Sequence, residues 1–418
     1  DDRRPENRYL HLMDEQEAIT KAQALLNRPG DANVSPLAVY RHAAKADSVQ
    51  QRRPNVVLIM MESMSAKFMK HFGQSETLTP FLDSLYTRSI SFRNFYSAGI
   101  HTNHGLYATL YSFPAMMKRN LMKGSVIPRY SGLPTVLKEN GYYNLFFMTH
   151  EGQYDNMNAF FRTNGYDEVF SQEDYPVDKV VNSFGVQDDF LYDYAIPVLN
   201  QRAATGQPFF ATLLSISNHP PYVIPPFFHP KTSEPEMQIV EYADWALRQF
   251  FEEARKQPWF DNTIFVLEGD HGKLVGDAEC ELPESYNHIP LMIYSSRIHP
   301  EEKNTFGGQV DIQPTILGLL NIDYLQNNFG VDLLKEERPC MFYTADNMVV
   351  GRNDTLLYLY NYETQQEFTY HIDNGKLKAV PMDDRFLPLK EYSFSMLQSA
   401  EFLVKHGKTL NSIPFTQQ

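Results

Sequence analysis

Cysteine is scarce in this 418-residue chain, which contains only Cys280 and Cys340. The two can pair or stay free, so they define neither a disulfide framework nor a redox compartment. Basic residues are also in the minority, with 37 Lys and Arg against 51 Asp and Glu and a net charge of −14. Because binding to a nucleic-acid backbone needs a basic patch and none is found, nucleic acid is excluded as a partner. An anionic lipid surface would not attract the bulk of the protein either.

Long hydrophobic runs are absent as well. The longest have about seven residues, whereas a membrane-spanning helix needs roughly 20, and no signal peptide is recognised. The chain begins at Asp1 without methionine, and we therefore expect a processed or truncated product. With 43% hydrophobic and 13% aromatic residues, no internal repeat and no low-complexity segment, the composition predicts a globular protein of about two domains.

Two apolar runs end in acidic residues. Residues 265–272, Phe-Val-Leu-Glu-Gly-Asp-His-Gly, carry Asp270 and His271 to the end of one predicted strand, and residues 55–61 lead directly to Glu62. In open α/β sheets the carboxyl ends of parallel strands converge on a ligand crevice. These three side chains therefore make part of a predicted divalent-metal site. The alternative is that each acid only terminates a hydrophobic strand.

A third segment, residues 96–110, is predicted to form a strand, a turn and then a helix. Thr102 falls at the turn, where the backbone N–H groups and the dipole of the helix would lie beside its hydroxyl. With a bound cation lowering the pKa of that hydroxyl, Thr102 is a candidate nucleophile. Its ordinary alternative is a threonine that caps the helix.

Taken in order, these segments resemble the alkaline-phosphatase superfamily in its sulfatase-like branch, and most closely the lipoteichoic acid synthase and phosphoglycerol transferase family. The resemblance runs from about Pro54 to about Leu320. It also includes residues 78–85 (Leu-Thr-Pro-Phe-Leu-Asp-Ser-Leu), 217–222 (Ser-Asn-His-Pro-Pro-Tyr) and 287–291 (Asn-His-Ile-Pro-Leu). The resemblance implies an α/β fold whose mostly parallel central sheet is covered by helices on both faces.

The family's catalytic residues can be carried over one by one. Glu62, Thr102, Asp270 and His271 would be the ligands of one catalytic divalent metal ion, with Thr102 also the nucleophile that forms a phospho-threonine intermediate. Such ligands suit Mn²⁺ or Zn²⁺, with Mg²⁺ possible. A cation would neutralise the anionic phosphodiester while the coordinated alkoxide attacks phosphorus.

Two histidines resemble substrate-side positions of the family. His219, which precedes two prolines, looks like the histidine that contacts the phosphoryl group or its head group, and its alternative is an exposed loop residue. His288, in the Asn-His-Ile-Pro stretch, resembles another active-site position, and its alternative is a structural role.

The sequence departs from the lipoteichoic acid synthases in one loop. Asp155 and Met157 stand where those enzymes have the Trp and Arg that grip the glycerophosphate, which puts polymerisation by the Gram-positive scheme in doubt. The Asp-Asn-Met pattern looks instead like Gram-negative relatives of the group. Asp155 and Asn156 either contact a polar head group or cap the following helix.

A true sulfatase is the obvious competitor. Its nucleophile lies in a Cys-x-Pro-x-Arg motif and is converted to formylglycine. With Thr102 at the Cys position, His104 replaces the proline and Leu106 replaces the arginine. Threonine is not a substrate for that conversion, and sulfate ester hydrolysis is therefore disfavoured.

Three regions are predicted along the chain. Residues 1–53 form an N-terminal helical linker, with a helix that opens at Asp14 and is closed by Pro29-Gly30. Residues 54–339 form the sulfatase-like catalytic domain. Residues 340–418 form a small antiparallel subdomain with strands at 355–360, 367–372 and 377–381, a turn at Asn374-Gly375 and a final helix at about 393–406.

We therefore expect a metal-dependent transferase that moves a phosphoglycerol or related head group from a phospholipid donor to a glycan, polyol or lipid acceptor. By resemblance it would be an ectodomain on the extracytoplasmic face of a bacterial inner or cell membrane, anchored through a segment absent from this chain. The alternatives are a phosphodiesterase or phosphatase of the same superfamily, a sulfuric ester hydrolase, and a non-catalytic envelope binding protein.

Overall fold

The apolar runs of the sequence form buried strands of one large sheet. The computed structural model describes residues 9–28, 38–46 and 53–411. Its strands are, in chain order, β1 (Tyr40–Ala43), β2 (Asn55–Met61), β3 (Ile90–Tyr96), β4 (Tyr143–Phe147), β5 (Glu168–Phe170), β6 (Phe209–Leu214), β7 (Thr263–Gly269), β8 (Leu291–Tyr294), β9 (Glu301–Gly308), β10 (Tyr324–Asn327), β11 (Met341–Ala345), β12 (Met348–Arg352), β13 (Leu356–Asn361), β14 (Glu367–Asp373) and β15 (Lys376–Ala379). Its α-helices are α1 (Glu15–Leu26), α2 (Pro80–Thr87), α3 (Thr102–Tyr111), α4 (Leu133–Glu139), α5 (Met157–Thr163), α6 (Asp188–Ala203), α7 (Pro235–Ala254), α8 (Ile312–Leu319) and α9 (Leu387–Lys405).

The central sheet has the strand order β5-β4-β6-β2-β7-β8-β3-β9. Each pair of neighbours is parallel except where β8 pairs antiparallel with both β7 and β3. Every residue of β2, β6 and β7 is buried. Continuous apolar strands of this kind are typical of a parallel sheet with both faces covered, and the predicted mostly parallel sheet is confirmed.

The two faces of the sheet bury separate hydrophobic cores. Along β2, Val56, Leu58 and Met60 belong to the core that includes side chains of α3, α4 and α8. Val57, Ile59 and Met61 belong to the other core, which includes side chains of α2, α6 and α7. This alternation is the two-residue period of a strand. Because β2 ends at Met61, the next residue, Glu62, lies at the carboxyl edge of the sheet.

A second sheet lies in the C-terminal region, where β11 to β15 form an antiparallel meander against which α9 packs. The predicted strands near residues 355–381 correspond to β13, β14 and β15, and Asn374 and Gly375 form the turn with φ of 47° and 76°. β11 and β12 were not predicted, and the final helix starts at Leu387, earlier than expected. The antiparallel C-terminal sheet is confirmed, whereas the boundaries after residues 53 and 339 stay predictions.

The N-terminal helix α1 begins where the sequence predicted. The Asp14 side chain accepts a hydrogen bond from the Glu17 N–H and caps the helix. Its buried residues, which include Ala18, Ile19 and Ala22, form the face that packs along α9. The predicted stop at Pro29-Gly30 lies outside the described residues. Within the described ranges, no helix has the length and apolar character that crossing a membrane requires.

Candidate active site and metal centre

Two neighbouring parallel strands deliver the predicted ligands to the same edge of the sheet. Met61 at the end of β2 is in register with Gly269 at the end of β7. Glu62 and Asp270 are the first residues after these two strands, so they lie side by side at the edge of the sheet. The Asp270 N–H donates to the Met61 carbonyl at 2.9 Å. Both side chains are almost fully buried.

The four residues predicted as metal ligands lie together. One ligand atom each from Glu62, Asp270 and His271 falls within 4.8 Å of the others. The Thr102 hydroxyl donates to Asp270 Oδ2 at 2.8 Å and lies 3.2 Å from Glu62 Oε2. The His271 Nε2 atom is 3.6 Å from both Glu62 Oε1 and Asp270 Oδ2. Donor atoms held at about 2.0–2.3 Å from one ion are separated from each other by roughly 3–4 Å, so this set fits a single divalent cation.

Hydrogen bonds outside the cluster fix the direction of each ligand. His271 Nδ1 lies 2.7 Å from the Gly272 carbonyl oxygen, which places the proton on Nδ1 and turns Nε2 toward the carboxylates. Asp270 Oδ1 accepts from the N–H groups of Ser63 and His271, at 2.8 and 2.7 Å, leaving Oδ2 for the cluster. The Ser63 hydroxyl donates to Glu62 Oε1 at 3.0 Å.

The electrostatics of the cluster call for a cation. Burial would raise the pKa of Glu62, but hydrogen bonding and charge from His271 outweigh it and lower the pKa to about 2. Burial and the Glu62 charge raise the pKa of Asp270. Burial would lower the pKa of His271, yet the two carboxylates outweigh it and raise the pKa to about 10. Two adjacent buried carboxylates are stabilised by a positive charge beside them. A protonated His271 supplies one such charge, and a divalent ion would compensate the negative charges of both carboxylates.

Thr102 is the first residue of α3, and its side chain does not cap the helix. His101 occupies the N-cap position, with extended backbone angles and no capping hydrogen bond from its ring. The Thr102 hydroxyl points instead to the carboxylates of Glu62 and Asp270. The capping interpretation of Thr102 is therefore wrong, and the hydroxyl lies at a helix amino end beside the cluster.

Helix α3, which begins at the candidate nucleophile Thr102, is held tightly against the segment that carries the predicted ligand Asp270. Gly105 packs so closely on Asp270, the residue after β7, that a Cβ atom there would lie 2.2 Å from the Asp270 carbonyl oxygen. The buried Gln309 side chain donates to the carbonyls of Gly269 and Asp270, at 3.1 and 2.8 Å, and accepts from the Ala98 N–H at 2.9 Å. Gln309 therefore links the ligand-bearing strand to the turn before Thr102, a role that the sequence did not indicate.

His219 lies beside the cluster, in the loop that follows β6. Its charge is among the effects that lower the pKa of Glu62. The His219 Nδ1 atom is 2.6 Å from the Pro220 carbonyl oxygen, and its ring lies 4.1 Å from that of Phe184. This placement agrees with a substrate-side position, and the role itself stays a prediction.

His288 has other partners. Its Nε2 atom is 2.8 Å from the Arg93 carbonyl oxygen, and its ring packs against Phe72 and Tyr96. Burial lowers the pKa of His288, which favours the neutral ring. These contacts agree with a structural role, and the substrate-side role of His288 stays a prediction.

Asp155 and Asn156 precede α5, and Asn156 occupies its N-cap position. Both have left-handed backbone angles, with φ of 51° and 62°, and no side chain caps the helix. Asp155 forms an ion pair with Lys123 at 3.2 Å, and Asn156 donates to the Met122 carbonyl at 3.0 Å. Asn156 therefore takes the capping position but makes no side-chain capping hydrogen bond, and head-group contact stays a prediction.

Sequence reasoning missed several residues around the cluster. His150 follows β4 at the same edge of the sheet, and it interacts electrostatically with Glu62. The strand-end rule that found Glu62 could have found it. His101 pairs with Asp346 of the β11–β12 turn at 2.7 Å, a contact that no local pattern signals. Both cysteines are free.

A sulfatase family model matches residues 54–322. The chain belongs to the sulfatase family, within the alkaline-phosphatase superfamily, and the resemblance inferred from its motifs is confirmed. It is 24% identical over 315 residues to lipoteichoic acid synthase 2 of Bacillus subtilis, an alignment that covers 68% of this chain and 47% of that protein. The chain spans about half the length of the curated relatives it matches.

Solved structures show the same fold over nearly the whole chain. A protein of the alkaline phosphatase superfamily from Vibrio parahaemolyticus superposes with a TM-score of 0.85 and 26% identity, covering 96% of this chain and 98% of that one. The lipoteichoic acid synthase LtaP of Listeria monocytogenes gives a TM-score of 0.75 at 20% identity, with 93% and 98% covered.

Proposed function

We propose that this chain is the catalytic part of a metal-dependent transferase that moves a phosphoglycerol or related phospho-head group from a phospholipid to a glycan, polyol or lipid acceptor. The observation that carries the proposal is the Thr102 hydroxyl, which sits at a helix amino end and within hydrogen-bond distance of two buried carboxylates. The similarity to lipoteichoic acid synthases supports the same class of reaction.

Glu62, Asp270, His271 and Thr102 would hold one divalent ion, Mn²⁺ or Zn²⁺, with Mg²⁺ a further candidate. When bound, such an ion neutralises the phosphodiester and lowers the pKa of the threonine hydroxyl. Imidazole and oxygen donors suit these ions, and the Nδ1 contact of His271 already directs Nε2 inward.

In the first step, Thr102 Oγ loses its proton to solvent and forms a bond to phosphorus. The bond from phosphorus to the diacylglycerol oxygen breaks, and that oxygen takes a proton from His219. In the second step, an acceptor hydroxyl gives its proton to His219 and attacks phosphorus. The phosphorus–Oγ bond then breaks, and Thr102 Oγ regains a proton from solvent.

Water in place of the acceptor would make the same site a phosphodiesterase, which is the nearest alternative. A sulfuric ester hydrolase is disfavoured, because threonine stands at the nucleophile position. We further propose that the enzyme acts at the extracytoplasmic face of a bacterial membrane, joined to it by a segment outside this sequence, as expected for a phospholipid donor.

The proposal is tested with labelled phosphatidylglycerol and phosphatidylethanolamine, offered with Mn²⁺ in the presence and absence of glycan or polyol acceptors. We expect head-group transfer by the wild-type protein, none by Thr102→Ala, and partial activity by Thr102→Ser. Unchanged turnover by Thr102→Ala would reject the covalent route. Release of the free head group with every acceptor would favour the phosphodiesterase.

A further inference from the structure

A partly buried lysine links the two loops that meet at the site. Lys273 follows the Gly-Asp-His-Gly motif and lies in the loop after β7. Its ammonium donates to Asn218 Oδ1 at 2.6 Å and to the Tyr222 hydroxyl at 3.0 Å. Both partners belong to the loop after β6, one on each side of His219.

The two partners of Lys273 enclose a short segment. Asn218 immediately precedes His219, whereas Tyr222 follows the two prolines. The ammonium also lies over the Tyr222 ring, 4.9 Å from its centroid, and over the Phe68 ring at 5.6 Å. Charged hydrogen bonds and cation–π contacts in a partly buried position are stronger than their exposed counterparts. Lys273 thus restrains both ends of the segment that carries His219.

The same network reaches the metal ligands. Asn218 is buried, and its Nδ2 donates to the carbonyl of Ser63, the residue after Glu62, at 3.3 Å. With its Oδ1 bound by Lys273, the Asn218 amide is held from both ends. The backbone of Lys273 is fixed as well, since the Ser65 hydroxyl bonds to its carbonyl and its N–H, at 3.0 and 2.8 Å.

We infer that Lys273 is a positioning residue for His219: it fixes the distance between the loop that carries the substrate-side histidine and the loop that carries Asp270 and His271. The inference rests on the proposed function, in which His219 exchanges protons with the leaving and attacking oxygens. The Lys273 ammonium donates hydrogen bonds to Asn218 and Tyr222. Lys273 therefore acts through these two residues and not by contact with the substrate.

The test compares Lys273→Met with wild type. Loss of the ammonium leaves Asn218 Oδ1 without its donor and frees both ends of the segment. Because a displacement of about 1 Å can reduce a rate roughly 10²-fold, we expect kcat to fall about 10- to 100-fold with little change in KM or metal content. Lys273→Arg should restore part of the loss. Lys256→Met, which removes an exposed lysine that follows α7 and pairs with Glu253 of that helix, is the matched control.

A double-mutant cycle separates positioning from other roles. If Lys273 acts through His219, adding Lys273→Met to His219→Ala should lower kcat no further than about twofold. A full additional loss in the double mutant would show that Lys273 contacts the substrate itself, and would overturn the inference. Loss of metal or of folding in both Lys273→Met and Lys273→Arg would also overturn it.

Hydrogen exchange provides a readout that does not depend on activity. In Lys273→Met, the amides of Asn218, His219 and Tyr222 should exchange faster than in wild type or Lys256→Met, with the exchange of β2 and β7 unchanged. Unchanged exchange in the 217–222 segment would reject the restraint even if the transferase assignment holds. Faster exchange without any measurable transfer would instead count against the proposed function alone.

Discussion

The contact between Gly105 and β7 makes Gly105→Ala a sensitive probe of the site geometry. A methyl group there would lie 2.2 Å from the Asp270 carbonyl oxygen, 3.1 Å from its carbonyl carbon and 3.0 Å from Gln309 Nε2. Carbon–oxygen contacts normally need about 3.3–3.6 Å. Helix α3 must therefore withdraw from the strand by about 1 Å.

This withdrawal has two separable consequences. Overpacking of this kind costs about 1–3 kcal/mol, partly offset by the ~0.5–1 kcal/mol that alanine gains over glycine inside a helix. The remaining loss is small against the roughly 5–15 kcal/mol stability of a folded protein. Thr102 lies one turn earlier on the same helix, so its hydroxyl should move away from Asp270. A 1 Å misplacement predicts about a 10²-fold loss of turnover.

The assay measures both quantities. Thermal or urea unfolding gives the change in the free energy of unfolding, and transfer from labelled phospholipid gives kcat. Gly375→Ala is the control, because Gly375 has φ of 76° in a hairpin turn with no atom within 4 Å of the added Cβ. It should cost about 1–2 kcal/mol through backbone strain without changing kcat. Normal turnover in Gly105→Ala, or an equal loss in Gly375→Ala, would refute the reasoning.

Further predictions concern His219 and the metal. His219→Ala should lower turnover roughly 10²–10⁴-fold while metal content and melting temperature stay unchanged; loss of metal would make it a ligand. Chelation should lower the melting temperature, and excess Mn²⁺ or Zn²⁺ should restore it in wild type but not in Asp270→Asn, as measured by thermal shift. Because the carboxylates raise the pKa of His271 to about 10 in the metal-free protein, metal binding at pH 7 should release about one proton, and affinity should rise with pH toward 10. Titration calorimetry in buffers of different protonation enthalpy measures this proton, and its absence would contradict the assignment of His271.

The strands that lead to the candidate ligands were predictable because their signals are local. β2 and β7 are continuous apolar runs that end in polar residues, and the convergence of parallel strand ends then brings Glu62 and Asp270 together. The hairpin of β14 and β15 was equally local, since Asn374 and Gly375 both accept left-handed backbone angles. β11 lacks such a signal. It is buried throughout, so it does not alternate between apolar and polar residues.

The supporting residues of the site depend on contacts between distant parts of the chain. Gln309 meets Asp270 and Ala98 only after the sheet has formed. Asp346, in the β11–β12 turn of the C-terminal sheet, meets His101, which immediately precedes α3. Lys273 follows a recognisable motif, yet its partner Asn218 belongs to another loop. Residue type and spacing could therefore predict the candidate ligands, but not the side chains that orient them.

The central claim is that Thr102 carries the transferred group. The direct measurement is the mass of the intact protein, and of its peptides, after incubation with labelled phosphatidylglycerol or phosphatidylethanolamine and Mn²⁺, without acceptor. We expect a mass increase equal to the phospho-head group on Thr102 in wild type and none in Thr102→Ala. Modification of another residue, or an unchanged mass increase in Thr102→Ala, would contradict the account.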